Sequence, residues 1–269
     1  MQKVVRKVLR AVADYDPGYY DMHDDPDEAF FAPLYLERLR AHAVLAGIHP
    51  PATVLDAGCQ AGRLLVPLAQ AGFRITGIDT SRFALRRARR HARAVGVEAS
   101  FIQGDILDVL QQDVWRRYDM VVCAEVLYLV ERYHAMLAAL AEAVKPGGLL
   151  CVSHRPKFYY LLEALRQYDL VTAAQILDRS EGRLELRDRG YFNWQTEEEL
   201  RTLYQSLGLR WVAMHVVDRL SWLSGVKLEQ LTDLQRQQWF ELELRLSDEA
   251  GAWGRYLFVV AAAPDDAKS

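Results

Sequence analysis

The stretch Thr53-Val54-Leu55-Asp56-Ala57-Gly58-Cys59-Gln60-Ala61-Gly62-Arg63-Leu64-Leu65 decides how this chain folds. A short apolar run predicts a buried strand, and two glycines four residues apart predict a tight turn. The apolar residues that follow predict the start of a helix. Without a Cβ, Gly58 and Gly62 let the backbone approach a bound molecule closely, and the helix aims unpaired N–H groups at it. A strand–turn–helix unit of this kind marks the ligand crevice of a parallel α/β sheet. The spacing departs from the dinucleotide fingerprint, because the third and sixth positions counted from Gly58 are Gln60 and Arg63 rather than glycine. The turn also lacks the Lys-Ser or Lys-Thr pair of a phosphate cradle, Gly62 being followed by Arg63-Leu64. The expected ligand is therefore nucleotide-like and lacks a phosphate chain, which disfavours a nicotinamide dehydrogenase.

Outward from this unit the pattern alternates. Apolar runs near 53–56, 74–78, 99–103, 119–124 and 148–153 read as strands of a sheet buried on both faces. Helices are expected near 62–71, 81–95, 106–114 and 133–144, with Pro67 bending the first or delaying its regular start. Residues 154–195 break the rhythm with aromatic and charged side chains, and read as a partly helical insertion after the fifth strand. Thr196-Glu197-Glu198-Glu199 is a capping box whose helix Gly208 ends. A sixth strand is expected near 209–217, an amphipathic helix over 226–248 within an insertion spanning 219–250, and a last strand over 255–262. On the N-terminal side, a basic amphipathic segment (1–13) and a helix (28–46) make a cap over 1–49. The core domain then covers 50–269.

The chain has 269 residues, 51% of them hydrophobic, enough for one large α/β core. A net charge of −3 argues against a general nucleic-acid binder. The arginines of 82–93 have two readings, an RNA-binding stripe and a solvated helix face. A membrane span needs ~20 apolar residues, and the sequence offers no such stretch and no secretory leader. Cys59, Cys123 and Cys151 fall in or beside predicted strands and read as reduced core thiols of a cytoplasmic protein. No His/Cys/Asp/Glu grouping has metal-ligand spacing, so no metal is expected.

Five segments in order carry a resemblance. They are Val54–Gly62, Ile75-Thr76-Gly77-Ile78-Asp79-Thr80-Ser81, Phe101-Ile102-Gln103-Gly104-Asp105-Ile106, the run from Tyr118 to Leu127, and the run from Val144 to Leu150. Together the chain resembles the class I S-adenosylmethionine-dependent methyltransferases, clearest over 50–155 and weaker through Trp194-Gln195-Thr196 to Gly208. Gln60 departs from the family, which often has glycine there. The resemblance implies a Rossmann-like, mostly parallel seven-stranded α/β sheet with helices on both faces. It implies S-adenosylmethionine as cofactor and in-line methyl transfer to O, N or C of a small-molecule substrate. Methylation of RNA or protein, and a non-catalytic cofactor-binding relative, are the alternatives.

The cofactor-binding residues expected on this basis are Asp56, Gly58, Cys59, Gln60, Gly62, Asp79, Thr80, Asp105, Ile106, Ala124 and Glu125. Asp79, 21 residues after Gly58, suits the two hydroxyls of a ribose; its other reading is a helix cap, which Thr80 or Ser81 could also supply. The resemblance sets Asp105 opposite the adenine amino group and Ile106 against the ring, with a helix cap again the alternative for Asp105. Glu125 reads as a contact to cofactor or substrate, or as a cap, and Asp56 as a group that orients the glycine turn. For a general base, His154 at the end of the fifth strand is the expected catalytic residue, ahead of His134, Tyr19, Tyr20 and Glu125. Tyr19, Tyr20, Tyr159 and Trp194 are expected to bind substrate as an aromatic roof, or else to form a small core of their own.

Overall fold

In the computed structural model, the described residues are 26–112, 117–186, 189–249 and 251–265. Nine strands and ten α-helices are set out in these segments. Strands β1 (Thr53–Ala57), β2 (Arg74–Asp79), β3 (Ser100–Gln103), β4 (Tyr118–Cys123) and β5 (Val144–His154) alternate with helices α2 (Leu65–Gln70), α3 (Arg82–Ala94), α4 (Ile106–Gln112) and α5 (Tyr133–Glu142). Helix α1 (Pro26–Leu45) precedes them. After β5 come α6 (Lys157–Arg166), α7 (Leu170–Asp178), β6 (Glu181–Glu185) and β7 (Arg189–Asn193). The chain continues through α8 (Glu197–Ser206), β8 (Arg210–Val217), α9 (Leu220–Ser224), α10 (Asp233–Leu246) and β9 (Tyr256–Ala262).

Seven strands form one sheet in the order β3-β2-β1-β4-β5-β9-β8. The first five pair in parallel, and β9 runs antiparallel between β5 and β8. The chain steps from β1 to β2 on one side, and β4 lies on the other, so the order reverses between β1 and β4. That reversal opens a crevice at the C-terminal ends of these two strands. Residues in and after the strand ends line it: Gly58 after β1, Asp79 in β2, Asp105 after β3 and Glu125 after β4.

Alternation within each strand builds two cores. Val54, Met120, Val122, Cys151 and Phe258 join one cluster, while Leu55, Val121, Cys123, Leu150 and Val259 join the other. Each cluster is covered by helices, which is why these strands read as continuous apolar runs rather than alternating ones. Helix α1 packs on the first face: Phe30 meets Phe240 edge-on with ring centroids 6.0 Å apart, and Arg38 Nη2 donates to the Leu244 carbonyl at 2.6 Å. Val44 and Leu45 at its end are exposed.

Several local expectations are resolved. Helix α2 starts at Leu65, which leaves Pro67 in its first turn, where a missing N–H forfeits no hydrogen bond. The capping box at Thr196 and Glu199 is formed, and Gly208 follows the helix end at φ +72°. The segment 226–248 is not one helix. Its regular part begins at Asp233, after a second capping box in which Thr232 and Gln235 satisfy each other's backbone N–H groups. Glu243, not the leucine stripe, is the residue this helix buries most deeply. Its carboxylate accepts from the backbone N–H groups of Arg219 and Leu220 at 3.0 and 2.8 Å, tying α10 to the start of α9.

The insertion after β5 holds two helices, as its composition indicates, plus a hairpin that composition did not disclose. β6 and β7 pair antiparallel from Glu181–Asn193 to Glu185–Arg189. Trp194 sits beneath them, 1% exposed, with its indole Nε1 donating to the carbonyls of Ile176 (3.1 Å) and Arg179 (2.7 Å). Trp194 thus packs in the core of the insertion, the second of its two expected roles.

Candidate active site

The glycine turn is held in an unusual backbone shape. Gly58 and Gly62 have φ of +87° and +92°, and Gln60 between them also lies at positive φ (+43°). A Cβ on Gly58 would come within 2.3 Å of Val126 Cγ2, so glycine is required there by both space and dihedral. The N–H groups of Gly58 and Cys59 converge on the Ile78 carbonyl at 2.8 and 3.0 Å, which pins the turn against the end of β2.

Asp79 completes the turn. Its Oδ2 accepts from the backbone N–H of Gln60 at 3.0 Å, and its Oδ1 from that of Ser81 at 2.7 Å. Helix α3 is capped by Ser81, whose hydroxyl accepts from the Ala84 N–H at 3.2 Å, so the carboxylate is not consumed as a helix cap. Burial pushes the Asp79 carboxyl up, and the two backbone donors pull it back. Each carboxylate oxygen retains acceptor capacity at the crevice. Thr80 beside it is exposed. At the end of β3 the capping role does hold: Asp105 Oδ1 accepts from Leu107 N–H at 2.9 Å at the start of α4, and Ile106 is buried.

A buried ion pair bridges the two strand ends. Arg63 Nη2 lies 3.0 Å from Glu125 Oε1, with both side chains almost fully enclosed. Glu125 has φ +62°, and its N–H donates to the Ser153 hydroxyl. Asp56 lies beneath, 3% exposed. Burial pushes its carboxyl up to about 7, opposed by the Arg63 guanidinium and by the Leu65 backbone N–H, and reinforced by Asp79. Cys59 is buried, and its thiol is pushed up by burial and by the Asp56 and Asp79 carboxylates. With Ala124, these groups enclose a hollow of about 20 Å³, room for one water-sized group. A larger ligand seated against Gly58 must displace the 124–126 loop, whose Val126 presses on the turn.

The expected base is elsewhere. His154 is 0% exposed, and its Nε2 is 2.8 Å from the Tyr204 hydroxyl beneath α8; burial lowers its pKa to about 3. Strand parity explains the difference. Along β5, Leu150 and Val152 face the core that contains Tyr204, and His154 falls in step with them. Leu149 and Cys151 face the other side, and Ser153 and Arg155 follow that parity. His154 is therefore a neutral core residue that faces Tyr204 rather than the crevice. His134 is exposed in the first turn of α5, its ring centroid 3.9 Å from that of Tyr133. Tyr19 and Tyr20 lie outside the described residues.

The parity that removes His154 brings in Arg155, a residue that sequence reading passed over. Its guanidinium carbon lies 3.9, 4.2 and 4.6 Å from the ring centroids of Tyr159, Tyr256 and Tyr128. Tyr159 in turn stacks on Trp222, with centroids 5.5 Å apart and the rings inclined by 24°. Arg155, Tyr159, Tyr256 and Trp222 form one wall of a cavity of about 860 Å³ between the insertion and the α9 region. Tyr128, against which Arg155 packs, belongs to the same post-β4 loop as Glu125, so Arg155 joins the cavity wall to the crevice loop. On α3, Arg86 and Arg87 lie over Phe83 and Arg89 over Phe101, which turns much of the arginine stripe toward the domain's own aromatic rings.

Sheet order, single antiparallel strand and glycine-turn crevice together define the class I methyltransferase fold. A family profile described as a methyltransferase domain matches residues 48–206, more than half of the chain, and the protein belongs to that family. Among curated proteins it is similar to the ubiquinone biosynthesis O-methyltransferase of Rickettsia felis, 35% identical over 111 residues, covering 40% of this chain and 44% of that protein. The enzyme of the same name from Serratia proteamaculans is 38% identical over 124 residues, covering 45% and 51%. The chain thus matches about half the length of these relatives. Among solved structures, the magnesium protoporphyrin IX methyltransferase of Synechocystis PCC 6803 with bound SAH shares the fold at TM-score 0.58 and 19% identity, over 98% of this chain and 100% of that one. So does 1,6-didemethyltoxoflavin-N1-methyltransferase of Burkholderia thailandensis, at TM-score 0.59 and 18% identity, over 98% and 91%.

The residues present fit the family's cofactor. The glycine cradle excludes a Cβ, the Asp79 carboxylate is half-buried with acceptor capacity left, and apolar Ile106 stands at the end of β3. Among the described residues, no helix is long and apolar enough to cross a membrane.

Proposed function

We propose that this protein transfers a methyl group from S-adenosylmethionine to oxygen, nitrogen or carbon of a small molecule held in the cavity beside the crevice. The observation that carries this reading is the contact chain from the glycine turn to that cavity. Arg63 joins the turn to Glu125, and the loop of Glu125 supplies Tyr128, which stands with Tyr256 and Tyr159 around Arg155. A volume of about 860 Å³ falls in the range of small-molecule sites, ~300–1,000 Å³.

When bound, the cofactor supplies an electrophilic methyl group on a positively charged sulfur. The chain's own residues then bind, orient and exclude water. Gly58, Gln60 and Gly62 give the backbone close approach, Asp79 accepts from the ribose hydroxyls, and Ile106 and Ala124 present apolar surface. Asp105 keeps Oδ2 for an amino group while Oδ1 caps α4. The aromatic wall of Tyr159 and Trp222 positions the acceptor and excludes water, the contribution that alignment chemistry needs most. With His154 neutral in the core, catalysis rests on alignment rather than on a histidine base. Three buried, unbonded cysteines support a reducing compartment, the cytoplasm.

Incubation with methyl-labelled S-adenosylmethionine and a panel of small aromatic hydroxy, amino and carboxylic compounds tests this reading. Acceptor-dependent release of S-adenosylhomocysteine is the expected result. Tight cofactor binding without turnover on any of them, combined with turnover on RNA or protein, would contradict it.

A further inference from the structure

Arg155 poses a physical problem that the fold alone does not solve. It is 8% exposed and makes two hydrogen bonds, from Nη2 to the hydroxyls of Tyr128 (3.2 Å) and Tyr256 (3.1 Å). Its Nε and Nη1 are buried without a hydrogen-bond partner. No carboxylate pairs with it among the described residues. The acids nearby are committed elsewhere: Asp218 to Arg255 at 2.8 Å, Glu163 to Arg166 at 2.7 Å, and Glu125, whose charge reaches Tyr128 and Tyr256, to Arg63 at 3.0 Å. A buried cation without a counter-charge is costly, and three tyrosine rings offset that only in part. The guanidinium lines the 860 Å³ cavity, whose remaining unpaired charges, Lys227 and Glu229, sit at the exposed rim and cancel. Deep in the cavity the balance is thus one positive charge with N–H donors left over.

We propose that Arg155 is the specificity anchor for the acceptor, and that the acceptor is a planar molecule bearing a carboxylate. The inference rests on the methyltransferase reading and names the substrate class for it. A single carboxylate matches the charge of one guanidinium and accepts from the donors left at Nε and Nη1. A phosphate dianion would leave a charge uncompensated in the same enclosure. The stacked pair Tyr159 and Trp222 supplies flat apolar surface beside the cation, which suits a conjugated or aromatic body attached to the acid. Arg155 would set which molecule enters and how it lies.

The test uses the full chain, saturated with S-adenosylhomocysteine, and three probes: benzoate, its neutral isostere benzamide, and inorganic phosphate. Titration is followed by calorimetry and by the ¹⁵N resonance of the Arg155 Nε. Benzoate is expected to bind saturably, at least about tenfold tighter than benzamide or phosphate, and to move the Arg155 resonance. In Arg155→Met the benzoate preference should vanish while benzamide affinity is unchanged; Arg155→Lys should recover part of it. Equal affinity for benzoate and benzamide in the unaltered protein would overturn the proposal whether or not the variants fold, as would a preference for phosphate or a preference that survives in Arg155→Met. Absence of S-adenosylhomocysteine binding at the outset would instead sink the transferase reading, which this experiment therefore separates from the choice of acceptor.

Discussion

Arg63 and Glu125 form a buried ion pair, 3.0 Å between Nη2 and Oε1, that clamps the glycine turn after β1 to the loop after β4. Removing one member leaves a buried charge uncompensated, which typically costs about 3–5 kcal/mol. Glu125→Gln is expected to lower Tm by roughly 6–20 °C, taking ~2–4 °C per kcal/mol for a chain of this size. The paired change Arg63→Met with Glu125→Leu should recover part of the loss, because it buries neither charge. Thermal unfolding of the two variants beside the unaltered protein decides the point; an unchanged Tm in Glu125→Gln would show that the pair does not hold the two loops together.

Asp79 is predicted to carry cofactor affinity rather than fold. Asp79→Ala should weaken S-adenosylhomocysteine binding at least about tenfold, equivalent to ~1.4 kcal/mol. Because Gln60 and Ser81 lose their acceptor at the same time, Asp79→Asn is the control, since its side-chain oxygen still accepts one of those bonds. Calorimetric affinities within twofold of the unaltered protein for both variants would remove Asp79 from the site.

The glycine turn tolerates no side chain at its first position. In Gly58→Ala the new Cβ meets Val126 Cγ2 at 2.3 Å at a φ of +87°, so two separate penalties act. Adding Val126→Ala relieves the contact but not the dihedral strain. Urea midpoints should therefore rank the unaltered protein above the double variant and the double variant above Gly58→Ala. A Gly58→Ala protein with full stability and full cofactor affinity would refute the close packing of the two loops.

Two buried groups give opposite pH dependence. Burial lowers the His154 pKa to about 3, so the unfolded chain takes up a proton below ~6.5 that the folded chain refuses. Stability from this group is intact above pH 6.5 and is lost as pH falls, by ~1.4 kcal/mol per unit. Asp56 is the reverse: raised to about 7, it favours folding below ~3.9 and loses that contribution as pH rises through 7. His154→Phe should flatten the loss of stability between pH 6.5 and 5, and Asp56→Asn should improve stability at pH 8 relative to pH 5. Urea unfolding at pH 5, 6.5 and 8 reads both slopes; parallel curves for the unaltered protein and His154→Phe would contradict the buried, neutral histidine.

Much of the fold was legible because it rests on short-range signals. Apolar runs, two glycines and a capping box are local, and β1 to β5 and α8 lie within a few residues of where those signals put them. The β6–β7 hairpin escaped notice because its strands carry charged residues on an exposed face, with Leu184 and Phe192 as the buried apolar side chains among its described residues. The site divided in the same way. Residues that shape backbone, such as Gly58 and Asp79, announce themselves by spacing. Residues that act through tertiary contact do not. His154 and Arg155 are neighbours in sequence, yet one strand alternation sends the first into the core under α8 and the second to the cavity. Counting parity along β5 from Leu150 would have exchanged their roles.

The central claim is that the turn between β1 and α2 holds S-adenosylmethionine and not a nicotinamide cofactor. Calorimetric titration with S-adenosylhomocysteine and, separately, with NADH addresses it most directly. Saturable binding of the former, lost or weakened at least tenfold in Asp79→Ala, with no heat from NADH, is the predicted result. Binding of NADH with no response to S-adenosylhomocysteine would contradict it.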